Sequence, residues 1–193
     1  MAVLLALALS ACAPTQQEIG AAITAMNKAF QADYEAMLAS NGVRRYKLRP
    51  QEAFVALHAA FGKLGLGIAD QDPELGTLSA SAAAPRPLDA IEWRQAAATD
   101  LPRIRQIARP FIGPIAAEAI RFEPEGLDII INAALLSVDG STEIALTTRM
   151  RQVAPSPSNL PRREYPPPAA VNMALDKIWR QFEQELRLAG KLP

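Results

Sequence analysis

At 193 residues, with half of them apolar and 21% charged, the chain is long enough to close one hydrophobic core, and its composition excludes an intrinsically disordered protein. Twenty basic side chains balance twenty acidic ones, which leaves no net field to gather a polyanion and argues against nucleic acid as a partner. The single cysteine excludes an intrachain disulfide, and the single histidine excludes a multi-histidine metal centre.

Residues 1–11 form a short apolar run ending in small side chains, the pattern of a secretory signal peptide with cleavage before Cys12. The run is too short to span a bilayer. Its last positions, Leu9-Ser10-Ala11-Cys12, resemble the lipobox of bacterial envelope lipoproteins. That resemblance implies that Cys12 is lipidated, palmitate included, and becomes the first residue of the mature chain. It also implies, because Ala13 rather than Asp follows, a place in the outer membrane with the domain facing the periplasm. Each buried methylene contributes about 0.8 kcal/mol, so several acyl chains would hold the protein durably where one would not. No Lys or Arg precedes Cys12, which puts the start at Met1 in question.

Between residues 16 and 39, Ile19, Ile23, Met26, Phe30, Tyr34, Met37 and Leu38 recur at steps of three and four and predict an amphipathic helix. Asn41-Gly42 predicts a left-handed stop. The stripe favours packing over a free spacer. All predicted strands lie beyond it, so the organisation expected is a signal peptide (1–11), a lipidated helical segment (12–42) and a domain (43–193) able to fold without the helix. Val43 to Arg49 then alternates as a strand, Tyr46 and Leu48 on one face and Arg45, Lys47 and Arg49 on the other. Pro50 suits the first turn of a helix carrying Phe54, Leu57, Phe61 and Leu64 on one side, and Gly65 closes it. Residues 66–70 and 77–83 read as two strands, or one bent strand, around a turn from Asp70 to Gly76.

Prolines interrupt every period from about 84 to 126, which predicts an irregular stretch holding at most a short helix at 100–109. Residues 127–138 and 141–153 are β-rich runs joined by Asp139-Gly140, a favoured two-residue hairpin turn. In the second run Ile144, Leu146, Thr148 and Met150 face one way and Glu143, Thr147, Arg149 and Arg151 the other, which predicts a sheet covered on one side. A proline-rich stretch, 154–168, reads as an extended exposed loop. The closing helix carries Val171, Leu175, Ile178, Phe182 and Leu186 inward, with Asp176, Arg180, Gln184 and Arg187 outward. The fold class expected is therefore α+β: an antiparallel sheet of about four strands with helices packed on one face, preceded by an N-terminal helix.

That order, with Tyr46, the helix through Phe54 and Leu57, the Asp72-x-x-Leu75-Gly76-Thr77-Leu78 turn into a strand and the closing helix, resembles the helix-grip-like domains of BamC-type accessory lipoproteins over about residues 43–189. The resemblance implies an accessory role in the envelope and carries no functional residue over to this sequence.

The chemistry-bearing residues are few. His58 is the one candidate base and sits beside Leu57 and Phe61, as a packing or boundary residue would. The glycines of Gly62-Lys63-Leu64-Gly65-Leu66-Gly67 lack phosphate-loop spacing and read as a helix stop. Asp70, Asp72 and Glu74 have metal-like spacing but run into Pro73 and Leu75, so they read as turn-capping carboxylates. Arg44, Arg45, Lys47 and Arg49 suit either anionic headgroups or protection of an edge strand, and the latter is favoured. No cofactor or metal is expected. The function expected is non-enzymatic: a membrane-anchored lipoprotein that binds an envelope protein partner. The alternative is a carrier holding a lipid or small apolar ligand between sheet and C-terminal helix, which a pocket beside Trp179 and Phe182 would favour.

Overall fold

A computed structural model describes residues 13–153, 160–162, 164–165 and 167–192. The expected signal peptide and Cys12 lie outside the described residues, as does much of the 154–168 stretch.

Helix α1 (Gln16–Asn41) begins at a capping box, in which Thr15 and Glu18 satisfy each other's backbone amides. It ends at Gly42, whose φ of −80° is right-handed, not the left-handed stop expected. Glycine is required there by space: a Cβ would lie 2.6 Å from the Leu38 carbonyl oxygen and 3.1 Å from that of Leu146. Strand β1 (Val43–Tyr46) is followed by α2 (Pro50–Lys63), with Pro50 in its first turn and Gly65 left-handed after its end.

Strands β2 (Gly67–Asp72) and β3 (Thr77–Ala83) are separate strands paired antiparallel, with a bulge between Ile68 and Asp70. Strands β4 (Leu127–Val138) and β5 (Ser141–Gln152) form the hairpin, both turn residues at positive φ, Asp139 at 49° and Gly140 at 73°. Five strands, not about four, make one antiparallel sheet in the order β1-β5-β4-β3-β2. Ile129, Ile131, Ala133 and Leu135 of β4 are buried with Ile144, Leu146, Thr148 and Met150 of β5, whereas Thr147, Arg149 and Arg151 stay in solvent. One face is thus covered, and buried residues from all four helices join it in a single core.

The stretch expected to be irregular contains the longest helix described, α3 (Ala90–Glu118). Its start is a second capping box, Asp89 accepting from the amides of Ile91 and Glu92 while Glu92 accepts from that of Asp89. An interior proline costs about 3 kcal/mol. Packing offsets this around Pro102, where Trp93, Ala96, Ala97, Ile104 and Ala108 are buried. Between Pro110 and Pro114, where two interior prolines fall within five residues, the helix breaks at Gly113 (φ 76°, ψ 163°).

Helix α4 (Pro168–Leu188) buries the expected stripe, Val171, Leu175, Ile178, Phe182 and Leu186, together with Trp179. Its cap residue, Pro167, offers no side-chain acceptor, and Asp100 of α3 supplies one instead by accepting from the Ala169 amide at 2.9 Å. Burial raises the Asp100 pKa above its ordinary 3.8, and the bond from Ala169 only partly counters this. A raised folded-state pKa means stability present below the unfolded value and lost as pH climbs through the folded one. Asp100→Asn keeps an acceptor without the buried charge. Its stability relative to the parent should therefore improve as pH rises from the ordinary Asp range towards neutrality, and denaturant melts across that range check the sign.

Candidate functional site

Strand β1 is only four residues long and pairs with Thr142 to Ala145, so the rest of the twelve-residue β5 has no strand on that side. In the hairpin register, alternate residues of β5, namely Leu146, Thr148, Met150 and Gln152, turn their backbone groups away from β4. The Leu146 amide donates to the Gly42 carbonyl at 2.7 Å. Thr148 is served by α1: its amide donates to the Tyr34 hydroxyl at 2.8 Å, and that hydroxyl donates back to the Thr148 carbonyl. Among the described residues, no partner takes the outward groups of Met150 and Gln152.

These groups face a cleft of about 470 Å³ lined by Tyr34 and Glu35 of α1, Arg149 and Arg151 of β5, and Arg162 and Tyr165 of the segment before α4. The described part of that segment is docked on α1, not simply extended in solvent. Asn27 donates to the Arg162 carbonyl at 2.9 Å and accepts from the Glu164 amide at 3.2 Å, and the rings of Tyr34 and Tyr165 stand 5.8 Å apart. Desolvation raises the Tyr34 pKa, so its hydroxyl stays protonated and able to donate at neutral pH. Arg151 pairs with Asp128 at 2.8 Å, whereas Arg149 and Arg162 have no acidic partner among the described residues. The cleft offers strand-edge hydrogen bonding, two half-buried aromatic rings and a mixed charged rim, in which Arg149 and Arg162 stand with Glu35 and Glu164.

The residues singled out from the sequence lie elsewhere and do not converge. His58 is exposed on the outer side of α2, not at a packed boundary. Asp72 accepts from the amides of Glu74 and Leu75, each at 2.9 Å, and so caps the β2–β3 turn. Asp70 accepts from the Gln71 amide. The basic run of β1 is divided. Arg44, on the covered face, bonds Glu183 at 3.1 Å and lies 5.1 Å from the Trp179 ring centre. Arg45 pairs with Glu143 on the open face, and Arg49 pairs with Glu52. Tyr46 also donates to Glu183, and burial pushes its pKa up to about 12. Among the described residues, no three His, Cys, Asp or Glu side chains are grouped to hold a metal ion, and no helix is long and apolar enough to cross a membrane.

The place where a carried ligand would lie is filled: Trp179 and Phe182 are fully buried and in edge-on contact, with Tyr46 against Phe182 at 5.0 Å. The cleft was not foreseen, because its residues come from α1, β5 and the segment before α4, far apart in the chain. One sequence signal for it exists, a β5 run much longer than the strand that could border it. No protein-family model, no curated protein and no solved structure matches the chain.

Proposed function

We propose that this chain is a lipid-anchored protein of the bacterial envelope, held on the outer membrane through Cys12 and facing the periplasm, whose domain acts without catalysis by binding a partner protein. The open end of β5 carries this reading. An extended segment of the partner adds alongside it, pairing with the outward amides and carbonyls of Met150 and Gln152 while the rings of Tyr34 and Tyr165 cover its side chains. Arg149, exposed at the mouth of the cleft, offers a charge-assisted bond to that segment, while Glu35 and Glu164 on the opposite side offer acceptors. His58, the one candidate base, is on α2 and takes no part in lining the cleft, which supports a non-catalytic role.

Two variants test the two halves of the proposal. Cys12→Ser should take up no labelled palmitate and leave the membrane fraction, and sedimentation identical to the parent would reject the anchor. Arg149→Glu, on an exposed position, should fold as the parent does. It should recover at least about fivefold less of the partner from detergent-solubilised envelopes, the loss of roughly one charge-assisted bond. Equal recovery by parent and variant would reject the β5 edge as the binding surface.

A further inference from the structure

The sequence Pro110-Phe111-Ile112-Gly113-Pro114-Ile115 forms the broken end of α3. The two prolines and the left-handed Gly113 turn the backbone out of the helix, with open space around Gly113. Ile115 is left 83% exposed and Phe111 36% exposed, side chains that a core would ordinarily take.

The position of this tip gives it meaning. Helices α1 and α3 run antiparallel: Asp33 pairs with Arg103, Phe30 borders the same hollow as Ile104, and further back along α1 Ala22 packs with Ala108 and Ala117. The start of α1 therefore lies beside the broken end of α3. From Ala22 back to Gln16 is about 9 Å of helix. Cys12 precedes Gln16 by four residues, so it reaches no further than about 14 Å beyond it. The only acidic side chain between Arg109 and Arg121 is Glu118, which Arg105 and Arg109 already hold at 3.0 and 3.2 Å. An exposed apolar tip next to the point where the chain leaves for its anchor matches a lipid surface, and the basic Arg105, Arg109 and Arg121 are balanced there by Glu118 and by the neighbouring Glu18, Glu123 and Glu125, so apolar contact is the attraction.

We propose that the broken end of α3 dips Phe111 and Ile115 into the headgroup region of the same membrane that holds Cys12, so that the domain stands in one orientation on the lipid. The inference rests on the lipid-anchor reading, and its test is arranged to be independent of it. The chain from Ala13 onward contains every described element and no cysteine, since Cys12 is the only one. An N-terminal hexahistidine tag on nickel-chelating lipid supplies the tether, in vesicles of phosphatidylethanolamine and phosphatidylglycerol.

An environment-sensitive fluorophore on Ile115→Cys should shift to the blue on these vesicles. The same dye on Leu136→Cys, an exposed position (55%) on the open face of the sheet, should not. Without the tag, Phe111→Ser combined with Ile115→Ser should lower vesicle partition by at least about tenfold. Both side chains are outside the core, and an unchanged thermal melt confirms that the doubly substituted chain is folded. Equal dye response at the two positions, or no response at Ile115→Cys, overturns the membrane tip. Neither outcome bears on Cys12, whose lipidation is read by palmitate incorporation.

Discussion

Phe182→Ala should lower the stability of the domain by about 3–5 kcal/mol, the usual cost of deleting a buried phenylalanine. Phe182 is fully buried on the inner face of α4, its ring edge-on to both Tyr46 and Trp179. Its removal opens a cavity where edge strand β1, the neighbouring β5 and the covering helix meet. A fall in melting temperature of roughly 6–20 °C is expected for a chain of this length. Because whole domains are stable by only about 5–15 kcal/mol, the variant should sit near the threshold of unfolding. Gln184→Ala, two residues on and exposed, should change stability by less than about 0.5 kcal/mol. If both variants melted alike, α4 would not be the lid of the sheet.

Removal of α1 should have the larger effect of the two. A chain beginning near Asn41 was expected from the sequence to fold alone, yet α1 belongs to the same core. Phe30 is 3% exposed within it, and the Trp179 indole donates to the Asn41 carbonyl at 2.8 Å. Tyr34 closes the Thr148 position of the β5 edge, and Asp33 pairs with Arg103 of α3. Loss of Phe30 alone should cost about 3–5 kcal/mol, and the bare edge of β5 and the exposed flank of α3 add to that. The fragment should therefore show no cooperative transition by circular dichroism and should expose apolar surface to dye binding. Cooperative unfolding of the fragment at the parent temperature would mean that α1 is merely draped on a self-sufficient domain. Phe30→Ala in the whole chain separates packing from truncation: it should fall between the parent and the fragment.

Local chemistry and short-range periodicity made most of the elements readable along the chain. The stripe of α4, the Asp139-Gly140 hairpin, the inward and outward faces of β5, the Pro50 start and Gly65 stop of α2 and the one-sided cover of the sheet were all legible, because each depends on residues within a turn or a strand of one another. Even the misread start of α3 had left its mark in Asp89 and Glu92, a capping box hidden behind the weight given to Pro102, Pro110 and Pro114. Only the tertiary structure could decide that Pro102 would be tolerated within the helix, since the burial of Trp93, Ile104 and Ala108 offsets its cost, whereas between Pro110 and Pro114 the helix breaks. It also decided the division of Arg44 from Arg45, and the joining of Tyr34, Arg149 and Tyr165 into one cleft. It placed the tip of α3 beside the start of α1. Those outcomes depend on which surfaces meet after every element has formed, and the free energy that selects them comes from non-directional burial of apolar area, which leaves no fixed spacing in the chain to be read.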